Sequence, residues 1–445
     1  MIKINYYRTI IQLMAFCVNL LNSTKYLPNS PTMQDQTPKY TIADTTAPLD
    51  HIAKNGYYVV GDKIFNHRII ALQYATKTKL PVSWNFHNEA YSKINWKERA
   101  NIPLTELCRL RALQLRQKYD YLILLWSGGG DSTTMLDSFL NNNIRLDEII
   151  IMWPRSKTQG KYTPTQNTVN TNVLSEWDFA IEPKLKKIMA DHPSIKITIS
   201  DTLENPDPNE YYDDTVLIVQ KHNYGAIQRW RALDKIIRER TDVYHNVATV
   251  LGVSPPEVAI IDDYLAVFFV DSAAYPGSKS DYTLQGWPRN IEYFYTTPDM
   301  PELPREQGHV IYDYFKANPA AIKYCPHHLT MGKNLILKKI DRIDSPDTAA
   351  WRHFRKFMLY PNYDLKTFQA DKPLDNYTNS EWFRWFTDNP HAEEFLPAWR
   401  SAIRAHQALI DPKFFRYKDD GSILGYFNFQ TKFYIIGKLN HTTRL

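Results

Sequence analysis

From about residue 103 to 255 of this 445-residue chain, short apolar runs alternate with longer stretches of helical spacing. Tyr121 to Trp126, 147–154 (DEIIIMWP), 195–201 (IKITISD) and 243–253 (VYHNVATVLGV) read as strands. Between and before them lie helical segments at 103–120, after Thr133, at about 172–190, and in a long stretch ending near 240. In the first, Leu104, Leu107, Cys108, Leu110, Leu113 and Leu115 form the apolar side. In the second, Met135, Leu136, Phe139 and Leu140 do so. This alternation predicts an α/β fold, a doubly wound parallel sheet. Its ligand crevice should lie at the carboxyl ends of the strands.

The flanks follow a different pattern. Residues 34–53 are polar and rich in Thr, Asp and Pro, an extended arm. Residues 56–87 predict a small unit with a strand at 57–60, a Gly-Asp turn, a helix at 66–77 and a strand at 81–85. Beyond 257, VAIIDDYLAVFFVDS predicts two strands about an Asp262-Asp263 turn, and IEYFYTTPDMPELPREQGHVIYDYFK begins as a strand and ends as a helix. The end of the chain predicts a hairpin about Asp420-Gly421. The expected organisation is a disordered or spurious extension over 1–32, with translation beginning at Met33, and a small N-terminal α+β unit over 33–102. A nucleotide-binding domain over 103–256 and a mixed α+β C-terminal region over 257–445 complete it.

The densest chemistry is at the end of the first sheet strand. There the chain reads Ser127-Gly128-Gly129-Gly130-Asp131-Ser132-Thr133 and passes directly into a helix. Strand, glycine turn and helix start aim a row of backbone N–H groups at an anion, and glycine permits close approach. Ser127, Ser132 and Thr133 bring hydroxyls, and Asp131 can ligate the Mg²⁺ that accompanies a polyphosphate. Capping of the loop helix is the plainer role for Asp131. No Gly-Lys-Ser/Thr follows, so this is not a Walker loop, and Thr133 stands where a dinucleotide fingerprint needs its third glycine.

The string resembles the SGGxDS(S/T) signature of the PP-loop ATP pyrophosphatases. Tyr57–Gly61, Arg111–Leu122, Gly252–Val258 and Tyr293–Leu303 are similar to segments of bacteriophage-encoded members of that superfamily. The resemblance implies a PP-loop/HUP-like sheet and cleavage of ATP to AMP and pyrophosphate, with an acceptor oxygen adenylated on the way. It implies ATP and Mg²⁺ on 127–133, with Asp131 as metal ligand and adenine near Met152 and Trp153, where core packing is the other reading. It also implies the cytoplasm, the host's if the protein is phage-encoded. Ile2 and Gln34 stand where a glutaminase of the asparagine synthetase type would need its Cys, so any amine arrives free or from another protein.

Charge and cysteine content narrow the choice. A net charge of +5 admits a nucleic-acid partner without requiring one. Cys17, Cys108 and Cys325 form no CxxC, which excludes a disulfide framework and argues against the sulfur-transferring branches. The apolar run near the N-terminus is too short to span a bilayer, so no membrane partner is expected. Lys333, Arg229 and Arg231 are candidate cations for pyrophosphate, Lys333 being taken with Ser127 and Asp131 as the catalytic set, although a solvated helix face also explains the arginines. His327 and His328 beside Cys325 suggest a metal only if further ligands join them. Trp382, Trp385 and Phe386 have helical spacing, as core or as a base-stacking surface. Two function classes remain. One is an AMP-forming enzyme acting on a small carboxylate or on a nucleobase carbonyl of tRNA or phage DNA. The other is a non-catalytic nucleotide-binding or phage structural protein. The oligomeric state is open.

Overall fold

The computed structural model describes residues 41–42, 54, 56–66, 68–152, 180–200, 233, 235–253, 255–271, 290–325, 327–331, 334–337, 355–356, 358–360, 409–417, 423–426 and 429–439. The expectations for 1–32, Trp153, Arg229, Arg231, Lys333, Trp382, Trp385 and Phe386 lie outside these residues.

The N-terminal unit has β1 (Thr41–Ile42), β2 (Tyr57–Val60), β3 (Lys63–Phe65), α1 (Arg68–Thr78), β4 (Val82–Asn85) and the short α2 (Asn88–Ser92). Its sheet order is β1-β3-β2-β4. The sequence reading missed β3, because the Gly61-Asp62 turn closes a tight hairpin in which Val60 pairs with Lys63. The arm contributes β1, parallel to β3.

Next come α3 (Leu104–Lys118), β5 (Tyr121–Leu125), α4 (Gly130–Leu140), β6 (Glu148–Met152), α5 (Glu182–Asp191), β7 (Lys196–Ser200) and β8 (Val247–Leu251), with helical residues at 235–241. The strands expected near 121, 147, 195 and 243 are all present. The chain continues through β9 (Glu257–Ile261), β10 (Tyr264–Phe268), β11 (Asn290–Tyr293) and α6 (Glu302–Ala317). β5, β6, β7, β8 and β11 form a sheet that is parallel throughout, in the order β11-β8-β5-β6-β7. From β5 the chain runs outward to β6 and β7, then returns to the opposite side of β5 as β8. The order therefore reverses between β5 and β8.

Helices cover both faces of this sheet. Leu122, Leu124, Ile149 and Ile151 share a core with residues of α3, α4 and α5. Tyr121, Ile123 and Ile150 pack with Leu233 and Ile237 on the other face. Alternating side chains of buried strands supply both faces, which is why the strands read as unbroken apolar runs. One expectation for α3 fails in an informative way. Leu110 and Leu113 are only half-buried, while Arg111 is fully buried, donating to Glu292 Oε2 at 2.9 Å and Tyr293 O at 3.0 Å. A buried cation persists where a carboxylate and a carbonyl meet it.

The remaining elements include β12 (His327–Met331), β13 (Asn334–Leu337), β14 (Phe415–Tyr417), β15 (Ile423–Tyr426) and β16 (Tyr434–Lys438). β13, β12, β9, β10 and β16 form a mixed sheet, in that order. The Asp262-Asp263 hairpin is present, with Asp262 left-handed at φ 51° and Ile261 paired with Tyr264. β14 and β15 make the expected C-terminal hairpin. Aromatic contacts tie this sheet to the N-terminal unit. The Tyr91 ring stacks on Phe269 at 4.8 Å and Trp96 on Tyr434 at 4.6 Å.

Between the same units lies Asp271, which accepts from Tyr58 Oη at 2.7 Å and the Phe429 N–H, and faces Arg68 at 3.3 Å. Burial outweighs these partners and raises its carboxyl from 3.8 to about 6. A folded-state value above the unfolded one means stability present below pH 4 and lost as pH rises through about 6. Asp271→Asn should remove this dependence. The wild-type-minus-variant difference in urea stability is expected to shift by about 2 kcal/mol between pH 4 and 7, and a flat difference would refute the assignment.

Candidate functional site

The glycine loop leaves β5 at the point where the strand order reverses, which is where open parallel sheets present ligand crevices. Trp126 extends the ladder through its N–H to Ile150 O at 3.0 Å, and the chain then turns at Ser127, which is exposed. Gly128 has φ +78°, and a Cβ there would lie 2.6 Å from Ile181 Cγ1 at the start of α5. Both backbone conformation and space demand glycine at this position.

Gly129 is different. It is extended, with φ −71° and ψ 160°, and serves as N-cap of α4 without any side-chain capping bond. A Cβ on it would meet only Ser127 Oγ, at an ordinary 3.5 Å. The fold therefore does not require glycine at 129. An approaching ligand would, and the first-turn N–H groups of α4 have no partners within the helix.

The loop hydroxyls brace the turn. Ser132 Oγ accepts from the Ser127 N–H at 3.2 Å, lies 3.1 Å from Ser127 Oγ and donates to Gly129 O at 3.1 Å. Thr133 Oγ1 accepts from Trp126 Nε1 at 3.0 Å and donates to Gly128 O at 3.3 Å. These bonds fix the loop before any ligand arrives. Gly252, just past β8, closes the other side, because a Cβ there would lie 2.9 Å from Ser132 Cα and 3.2 Å from Asp131 O.

Asp131 does not cap its helix. The residue is buried, its side chain 12% exposed, and its carboxylate turns toward Lys356 and Tyr360. Oδ1 accepts from Tyr360 Oη at 2.6 Å, Oδ2 lies 3.0 Å from Lys356 Nζ, and the Asp131 carbonyl accepts from Tyr295 Oη at 2.6 Å. Burial, with the Asp131 charge next in rank for Tyr360, raises both phenols well above their ordinary range, so both remain donors. Arg355, buried, anchors the segment by donating to Glu257 Oε2 at 2.7 Å and Pro256 O at 3.2 Å. Lys356 is thereby held beside the loop, still 21% exposed.

This donor set fits a phosphate chain: backbone N–H groups, an exposed Ser127 hydroxyl and an ammonium. It fits a protein-held Mg²⁺ less well. Asp131 already has an ammonium and a phenol on its two oxygens, and among the described residues no group of three His, Cys, Asp or Glu could hold a metal ion. Compared with protein-family models and with curated proteins, the chain matches none.

The residues expected from 127 to 133 thus converge on one loop, and Met152 ends the neighbouring strand β6, half-buried. Cys325 is buried, and His327 and His328 lie on β12, registered with Ile260 and Ile261. Sequence reasoning missed Lys356, Tyr360, Tyr295 and Gly252. Gly252 and Tyr295 lie in strings that the family resemblance had singled out. Lys356 had no local signal among 53 lysines and arginines.

Gly252→Ala should push the loop out of place and cost about 1–3 kcal/mol in urea unfolding. Gly129→Ala meets no clash and should cost only the loss of a glycine N-cap, less than about 1 kcal/mol. Equal destabilisation by the two would contradict the division drawn between them.

Proposed function

We propose that the chain binds ATP on the 127–133 loop and cleaves it to AMP and pyrophosphate, adenylating an acceptor oxygen as PP-loop pyrophosphatases do. The observation that carries this reading is Gly129. It is a glycine that the fold does not need, at the uncapped start of α4 and at the point of strand-order reversal. Phosphate oxygens approaching there would meet N–H donors without steric hindrance.

In this reading the N–H groups at the start of α4 and the Ser127 hydroxyl hold the phosphate chain. Lys356 supplies the cation that the sequence had assigned to Lys333. The acceptor oxygen bonds to the α-phosphorus while the bond to the bridging oxygen breaks, and pyrophosphate departs with that electron pair. An ammonium and aligned N–H dipoles stabilise this developing charge. An amine then displaces AMP from the adenylate. A carboxylate or a nucleobase carbonyl suits the acceptor role, and the host cytoplasm would supply the ATP. No helix among the described residues is long and apolar enough to cross a membrane.

One observation favours a second reading, nucleotide binding without turnover: Asp131 is already neutralised by Lys356 and hydrogen-bonded by Tyr360. Incubation with α-labelled ATP, Mg²⁺ and candidate acceptors separates the two. The enzyme reading expects AMP and pyrophosphate in equal amounts, with the rate falling about 100-fold in Lys356→Met. ADP and phosphate as products would overturn it, and tight binding without products would establish the second reading.

A further inference from the structure

A cavity of about 160 Å³ lies among α3, α4 and α6, alongside the loop helix. Thr105, Asn141 and Asn142 line it and are exposed, which places its mouth at the surface. Deeper in, it is lined by Cys108, Leu359 and the rings of Tyr295 and Tyr360, all buried. The two tyrosine rings stand 6.1 Å apart at 40°. Both phenol oxygens are engaged with Asp131, so the rings offer apolar surface rather than hydroxyls.

Gln307 of α6 also lines the cavity. Its side chain is completely buried, yet among the described residues neither its amide nitrogen nor its amide oxygen has a hydrogen-bond partner. A buried amide with both ends unsatisfied is costly, and native proteins rarely keep one without a use. The amide presents one donor and one acceptor side by side. Their complement is a cis N–H/C=O edge, as in a lactam or a pyrimidine. The volume matches the 150 Å³ engineered cavity that holds benzene, so one six-membered ring fits.

We infer that this cavity is a binding site for a planar six-membered ring bearing a lactam edge, read by the paired donor and acceptor of Gln307. The ring lies against Tyr295, Tyr360 and Leu359, and the mouth at Asn141 and Asn142 leaves room for a substituent. The cavity borders the glycine loop at Gly130 and Thr133, but the ring-binding surface proposed here is made by Gln307, Tyr295, Tyr360 and Leu359. It does not depend on ATP chemistry, and the test omits ATP so that the two readings fail separately.

The test is titration of the full chain with uracil, with benzene as shape control and with uridine, followed by calorimetry and saturation-transfer NMR. Uracil is expected to bind wild type and to bind Gln307→Met at least about tenfold more weakly. Benzene should show the reverse preference, and the variant should melt no lower than wild type, since it removes two unsatisfied buried atoms. Should Gln307→Met not fold, Cys108→Leu narrows the cavity while keeping the amide, and uracil binding should again be lost. Binding of uracil alone assigns the free ring, and binding of uridine as well assigns a ring carried on a sugar. Failure of uracil to bind wild type, or equal affinity for wild type and Gln307→Met, overturns the inference.

Discussion

The buried carboxylate of Asp131 is the constraint from which the geometry of the site follows. A carboxylate removed from water needs compensating partners, and at this depth each missing partner is costly. Lys356 and Tyr360 provide them, and Tyr295 binds the carbonyl of the same residue. A segment more than 200 residues downstream is thereby drawn onto the loop helix. The loop, the end of β8 at Gly252 and the 355–360 segment consequently behave as one assembly. Displacement of the loop, or of Lys356 and Tyr360, would leave a charge or a phenol without its partner.

The same logic recurs where distant pieces of chain meet. Burial pushes Glu292 on β11 upward, but Arg111, Tyr119 and Lys118 outweigh it and hold its carboxyl below the ordinary range. Three of these partners come from α3 and its end, so the network fastens the outermost strand of the parallel sheet to the helix that precedes β5. Glu148 at the start of β6 is likewise pushed up by burial and brought down further by Arg240, Thr198 and Tyr121. These networks set which strand packs where, since an alternative arrangement would strand a buried charge. At Asp271 the balance falls the other way, and burial prevails over Arg68.

Local features were legible in the sequence and long-range pairings were not. The apolar strands, the Asp262-Asp263 turn and the glycine loop each have a signature of fewer than about ten residues, arising from backbone sterics and side-chain alternation. The hairpin strand β3 escaped because three residues carry too little pattern, and its residues run straight into α1. Arg111 reads as the polar side of a helix until its carboxylate partner, 181 positions away, is known. Lys356 is the same case. Charge complementarity across the fold leaves no periodicity in the chain, so neither Lys356 nor the phenols on Asp131 can be read from a local pattern.

The central claim, that the uncapped glycine turn is a phosphate-binding surface held open by the Asp131 assembly, is tested most directly with protein labelled with ¹⁵N only in its 15 glycines. Titration with ATP should move the amide resonances of Gly128, Gly129 and Gly130 first and furthest, while those of the N-terminal unit, Gly56 and Gly61, remain in place. An unchanged loop, or shifts confined to glycines remote from α4, would contradict the account.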